Sequence, residues 1–372
     1  MNSTIVNPKE LIGHFIALAS IDSPSLNERN IADYLKKFLS PFNITVIEDS
    51  SAAALNGNTG NLICLPPQYD PKRPSIALCA HLDTVQPTKD LKPVVNDEKI
   101  SSDGTTILGA DNREGLAILT ALMKNLSKIP PPVANFICVF TVGEELGMYG
   151  ANAVDLSAYN VREAYVFDCS KRPGIYIKDC AGCLIFTARV HGRSAHAGVS
   201  PEQGISAIML AANALTSVKF GRIDEETTSN IGTISGGSAT NVVPDEVILN
   251  GEVRSFTPEK IETEFSKITK AFQSSIDGGG KFSITSQMDF HPYVLTDDSP
   301  VVQKIEKAIA SVGLTPQGIR YTGGSDANSY NAKNIPAVNI GIGAQKPHSH
   351  EEFILIEDLL TSMEIAVALV RQ

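Results

Sequence analysis

Five stretches place acidic or imidazole side chains at the ends of apolar runs. His81-Leu82-Asp83 directly follows the run SIALCA (75–80). Asp111 sits in LGADN just before a helical run, and Glu144-Glu145 follow ICVFTVG. Asp168 ends AYVFD, while His348 and His350 follow AVNIGIG and its loop. Imidazole and carboxylate donors without a thiolate suit Zn2+ and its neighbours Co2+ and Mn2+. Two imidazoles with three carboxylates are too many for one tetrahedral site that keeps a position open. They suit two metals if one carboxylate bridges. Paired metals about 3.5–4 Å apart hold a water between them and lower its pKa. In the doublet Glu144-Glu145, one carboxylate can then ligate while its neighbour accepts the water's proton.

Each group has a plain structural reading when taken singly. Asp111 can be a helix N-cap, the Glu doublet a solvated turn, either His a hydrogen-bonded surface residue, and Asp83 a loop cap. Their joint occurrence at successive strand ends favours a shared site, because ligands of open α/β sheets sit beyond the carboxyl ends of the strands.

The elements that must position these groups can be read from periodicity. SIALCA, ANFICVFTV (134–142) and AYVFDC (164–169) are short continuous apolar runs, as expected of strands buried on both faces. Between them, REGLAILTALMKNLSK (113–128) sets Leu116, Leu119, Met123 and Leu126 at helical spacing. This alternation predicts an α/β fold, a mixed, largely parallel sheet flanked by helices. Two amphipathic helices are predicted near the start, the second opened by a capping box at Ser25-Leu26-Asn27-Glu28. The style changes near residue 181. The runs from LIFTARVHG (184–192) to KFSITSQMDF (281–290) follow a β-α-β-β-α-β order, which predicts an inserted α+β split-βαβ domain. The expected division is a discontinuous metal-binding domain, 1–181 and 292–372, around an insert at 182–291.

Composition narrows the remaining classes. With 42% hydrophobic and 19% charged residues, the 372-residue chain has material for a core and is not disordered. Lys and Arg number 31 against 41 Asp and Glu, a net charge of −10, which argues against nucleic acid and anionic membranes as partners. No apolar run reaches the ~18 residues of a membrane span. The N-terminus lacks the basic region and cleavage site of a signal peptide, so a cytoplasmic location is expected. The six cysteines lie mostly in apolar runs and read as free buried thiols; Cys180-Ala-Gly-Cys183 has no second pair to make a zinc ribbon.

The segments HLDTV (81–85), GADNREG (109–115), GEELG (143–147), FDC (167–169) and HSHEE (348–352) resemble, in order, the motif series of the dinuclear-zinc peptidase and deacylase family. That family includes peptidase T, glutamate carboxypeptidase and aminoacylase, and the resemblance leans to the peptidase T branch. It implies two Zn2+ per subunit, with Co2+ or Mn2+ as substitutes. Asp111 would bridge them, His81 and Asp168 would complete one site, and Glu145 and His348 the other. His350 is the second choice for the last ligand. Asp83 would orient the His81 imidazole, and Glu144 would be the general base.

GRSAHAGVSPEQG (192–204) resembles the family's lid loop, so His196 would stabilise the developing oxyanion. TNVVPDE (240–246), GEVRSF (251–256) and GGSDANS (323–329) resemble its substrate-holding segments. They offer Asn241, Arg254, Gly324 and Ser325, with Arg254 read either as a carboxylate clamp or as a strand-surface ion pair. The implied activity is metal-dependent hydrolysis of short peptides by a di- or tripeptidase of aminopeptidase type. The alternatives are an N-acyl amino acid deacylase or carboxypeptidase, and, from another class, a non-catalytic metal-binding scaffold. A homodimer through the lid is a further expectation.

Overall fold

The computed structural model describes residues 5–276 and 279–371. Contacts group the chain into two compact units. One comprises the chain up to Asp179, Leu295–Arg320 and the chain from Ser325 onward; the other is Cys180–Val294 with Tyr321–Gly324. The strip 321–324 thus groups with the inserted unit.

In the first unit, α1 (Pro8–Ala19) is opened by Asn7, whose side chain accepts from the Lys9 N–H at 2.9 Å. Pro8 fits the first turn, where its missing N–H costs nothing. Leu11, Phe15 and Leu18 form the buried stripe. Helix α2 (Arg29–Leu39) buries Ile31, Leu35 and Leu39. It corrects one expectation. Its N-cap residue is Glu28, with no side-chain cap bond, and Ser25 takes no part. The Ser25 hydroxyl instead donates to Asp83 Oδ2 at 2.7 Å. A bond to a buried carboxylate is stronger than a neutral cap, and this tertiary contact outweighs the local signal.

Strands β1 (Thr45–Glu48), β2 (Leu62–Leu65), β3 (Ser75–His81), β4 (Phe136–Thr141), β5 (Val161–Cys169) and β6 (Ile175–Cys180) follow, with α3 (Ala110–Lys124) between β3 and β4. Every residue of β3 and β4 is buried, which is why their sequences are apolar without alternation.

The inserted unit holds β7 (Gly182–His191), α4 (Ala207–Ser217), β8 (Thr228–Gly236), β9 (Glu246–Ser255), α5 (Pro258–Ser275) and β10 (Lys281–Phe290). Its strands lie in the order β8-β9-β7-β10, all antiparallel. Phe186, Ala188 and Val190 of β7 alternate inward against Ala211 and Ala214 of α4 and Ile261, Ile268 and Phe272 of α5. Helices on one face explain the half-exposed alternation of LIFTARVHG.

The chain then returns to the first unit with α6 (Pro300–Ser311), α7 (Asp326–Ala332), β11 (Ala337–Gly341) and α8 (Ile356–Val370). The first unit's strands lie in the order β1-β2-β4-β3-β5-β11-β6. The central pairs β4/β3, β3/β5 and β5/β11 are parallel, and β1/β2, β2/β4 and β11/β6 antiparallel. Among the described residues, no helix is long and apolar enough to cross a membrane. All six cysteines are free and buried.

Candidate metal centre

Because β3, β4, β5 and β11 are parallel, their carboxyl ends line one edge of the sheet. β3 ends on His81, and β5 carries Asp168 as its penultimate residue. Beyond β4, Gly143 takes a left-handed backbone (φ 59°) that turns the chain into the short helix Glu144–Leu146. The loop after β11 carries His348. Asp111 comes from the opening turn of α3, where its backbone is not helical. Capping falls to Asn112, whose Oδ1 accepts from the Gly115 N–H at 3.0 Å. Asp111 is thereby released from the capping role its position allowed.

The donor atoms converge in two sets. His81 Nε2 lies 2.9 Å from Asp111 Oδ1 and 3.2 Å from Asp168 Oδ1. His348 Nε2 lies 3.3 Å from Asp111 Oδ2 and 3.2 Å from Glu145 Oε1. The two oxygens of Asp111 therefore face different imidazoles, each accompanied by its own second carboxylate. One ligand atom each from His81, Asp111 and Glu145 lies within 4.8 Å of the others. His350 points elsewhere, with Nδ1 2.9 Å from the Gly104 carbonyl.

Asp83 joins the two loops that carry these groups. Its Oδ1 lies 3.2 Å from His81 Nδ1 and accepts from the Glu144 N–H at 3.0 Å. Its Oδ2 accepts from Ser25 at 2.7 Å and from the Glu145 N–H at 3.2 Å. The carboxylate is fully buried, yet these donors hold it below the usual Asp range. It is thus built to remain charged, which keeps the proton of a metal-binding His81 on Nδ1.

The electrostatics test whether cations fit. Burial opposes charge on His81, but Asp168, Asp111 and Asp83 together lift its pKa well above the ordinary value. Asp111 and Glu145 lift His348 to about 10. Burial and the Asp111 charge push Asp168 up to about 7. Burial, then Asp168, raises Glu144 well above the usual Glu range. Crowded carboxylates around two imidazoles demand positive charge, and nitrogen and oxygen donors without sulfur fit divalent zinc, cobalt or manganese. Cations bound there would release protons, so binding is favoured as pH rises.

Several supporting residues had been given no role in holding the site. Asn112 Nδ2 donates to Asp168 Oδ1 at 2.7 Å. Glu352 Oε2 accepts from the Gly109 N–H at 2.6 Å, fixing the turn before Asp111. Arg113 is buried and donates to the Leu82 carbonyl at 2.8 Å and to the Ser23 hydroxyl, bracing His81-Leu82-Asp83. Thr141 donates to Asp326 Oδ2 at 2.5 Å beneath the Glu144 turn. The available signal was charge where a buried helix should be apolar: Arg113 and Glu114 stand in a buried stretch of α3.

The other candidate residues can be placed as well. In the inserted unit, the His196 and Asn241 segments lie side by side, with the Ala197 N–H donating to the Asn241 carbonyl at 2.9 Å. His196 is exposed, and its Nδ1 accepts from the Gly198 N–H at 3.2 Å, which leaves the proton on Nε2. Arg254 makes the ion pair of its alternative reading, with Nε and Nη2 on Glu252 at 2.9 and 3.0 Å, and Nη1 on the Thr322 carbonyl at 2.9 Å. Gly324 packs where a Cβ would meet the Phe290 ring at 2.9 Å. Ser325, in the first unit, is buried and forms a capping box with Asn328 at the start of α7.

Comparison with known proteins gives a uniform picture. The model of peptidase family M20/M25/M40 matches residues 77–372. A Bacillus subtilis protein described as uncharacterized protein YqjE is 37% identical over 369 residues, covering 99% of both chains. The solved structure of an aminopeptidase PepT from Bacillus cereus superposes with a TM-score of 0.91 at 35% identity, covering 99% of both chains. That of a tripeptidase from Staphylococcus aureus gives 0.93 at 34% identity, covering 99% of this chain and 98% of the other.

Proposed function

The chain belongs to peptidase family M20/M25/M40 and is a metal-dependent, peptidase T-like peptide hydrolase, and from that premise we propose that it acts as an aminopeptidase on di- and tripeptides. The observation that carries the chemistry is the division of Asp111 between two imidazole–carboxylate sets. His81, Asp111 and Asp168 would hold one ion and Asp111, Glu145 and His348 the other. Zinc is the proposed metal, on the donor types. Two such ions, when bound, polarise the scissile carbonyl and lower the pKa of an attacking water.

The rest is work for side chains. Glu144 takes the proton of the attacking water on its carboxylate and returns it to the leaving amine. Asp83 keeps His81 and the Glu144 turn in register. His196 is the proposed oxyanion donor, on the resemblance of its loop to the family's lid loop. Asn241 and Arg254 are the proposed peptide-holding residues. Arg254 has five N–H donors, of which Glu252 and Thr322 use three, so two remain for a substrate carboxylate. Gly324 lets backbone approach the substrate closely, and Ser325 fixes the start of α7 beside it. Free buried cysteines support a cytoplasmic location. Val199, Ile208, Met209 and Ile234 are exposed apolar side chains of the inserted unit, and they support a homodimer formed through it.

The test is a pair of substrates. The zinc-loaded protein is expected to hydrolyse Ala-Ala-Ala and to leave N-acetyl-Ala-Ala-Ala intact. Preference for the acetylated peptide would replace this reading with a deacylase or carboxypeptidase of the same family.

A further inference from the structure

We propose that Glu28 is a positioning residue for peptide hydrolysis: from the loop before α2 it holds Gly143, and through Gly143 it aims Glu144 and Glu145. The proposal rests on the metallopeptidase reading above. Glu28 has 0% exposure. Burying a carboxyl group is costly unless its oxygens do something specific. The side chain does not cap α2, so helix initiation does not account for it.

Its Oε1 accepts two backbone N–H groups, from Leu26 at 2.8 Å and from Gly143 at 2.9 Å. Both donors sit on left-handed backbone, with φ 66° at Leu26 and 59° at Gly143. A leucine rarely adopts that conformation. Leu26 also packs on Gly143, where an added Cβ would meet Leu26 Cδ2 at 3.3 Å. One oxygen of Glu28 thus fastens the Leu26 turn to a Gly143 turn 115 positions further along the chain from Glu28.

Gly143 begins the turn that presents the proposed base and one proposed ligand. The next two N–H groups, of Glu144 and Glu145, are held by Asp83 at 3.0 and 3.2 Å. Three successive amides are therefore each anchored on a buried carboxylate, and Glu28 supplies the first anchor. Without it, the turn keeps its hold on Asp83 but can pivot, which moves the carboxylates of Glu144 and Glu145 together.

Glu28→Gln retains a carbonyl oxygen at Oε1 and both accepted bonds. Glu28→Leu fills the space without an acceptor, and Glu28→Asp withdraws the carboxylate by one methylene. Misplacement by about 1 Å costs on the order of a hundredfold. The Leu and Asp variants are therefore expected to lose about ten- to a hundredfold in kcat on Ala-Ala-Ala, with KM little changed, and the Gln variant to stay within about threefold.

Zinc titration of chelator-stripped protein gives a readout independent of turnover. The ion served by Glu145 should bind about tenfold or more weakly in the Leu variant, and the other ion as in wild type. Circular dichroism checks the fold. A folded Leu or Asp variant with two zinc ions and wild-type kcat overturns the proposal, as does a Gln variant as impaired as Leu. Should the Leu variant not fold, Asp against Gln decides. If the wild-type protein cleaves no peptide, the functional reading falls, while the zinc titration still tests Glu28.

Discussion

Asp83→Asn is the most informative single substitution. The wild-type carboxylate serves four donors, two on each oxygen: His81 and the Glu144 N–H on Oδ1, Ser25 and the Glu145 N–H on Oδ2. An amide offers one acceptor oxygen. Whichever way it is turned, its NH2 faces two of those donors. Each lost bond to a charged group is worth about 1.5–3 kcal/mol, part of which relaxation recovers. What reaches the chemistry is the aim of His81 and of the Glu144 turn. Loss of an outer partner of a metal-binding His costs about 10–100-fold, and misaiming the base adds to it. We expect kcat to fall about 100- to 1000-fold, or about 3 to 4 kcal/mol. The assay is steady-state release of free alanine from Ala-Ala-Ala, with metal content measured on the same dialysed sample. A variant with full metal occupancy and turnover within about threefold of wild type would refute the reasoning, because no role as a shared anchor could survive it.

Two further outcomes follow from particular side chains. Glu144→Gln should lose about a hundred- to ten-thousandfold in kcat with both ions still bound, checked by rate and metal content together. His14 gives a stability prediction far from the centre. Its Nε2 lies 2.7 Å from Thr120 Oγ1, whose own hydrogen goes to the Leu116 carbonyl, so the imidazole must donate. Burial, then Lys124, lowers its pKa to about 4 from 6.5. The folded state thus binds fewer protons than the unfolded one. The stabilisation is full above pH 6.5 and is lost as pH falls from there towards 4. At about pH 5 the loss is on the order of 2 kcal/mol. Urea unfolding of metal-free protein at pH 7 and pH 5 should give wild type a change about 2 kcal/mol less favourable than that of His14→Phe, which keeps the stack on Phe38.

Much of the fold was legible because parallel strands buried on both faces must be continuously apolar, and β3, β4 and β5 each announce their ends with a polar group. The insert was legible because a sheet covered on one face alternates. What stayed hidden is tertiary. Ser25 and Glu28 have capping-box spacing, yet Ser25 serves Asp83 and Glu28 serves Gly143. No local pattern reveals partners 58 and 115 positions away. Asp111 looked like a cap because its neighbour Asn112 does the capping. The choice of His348 over His350 could be made from the motif, but only coordinates show one imidazole turned to Asp111 and the other to the Gly104 carbonyl.

The central claim is that Asp111 is shared by two bound cations. Crystals of the zinc-loaded protein, with data on both sides of the zinc absorption edge, address it directly. Two anomalous peaks about 3.5–4 Å apart are predicted, one on each side of the Asp111 carboxylate. A single peak away from Asp111, or none, would contradict the account.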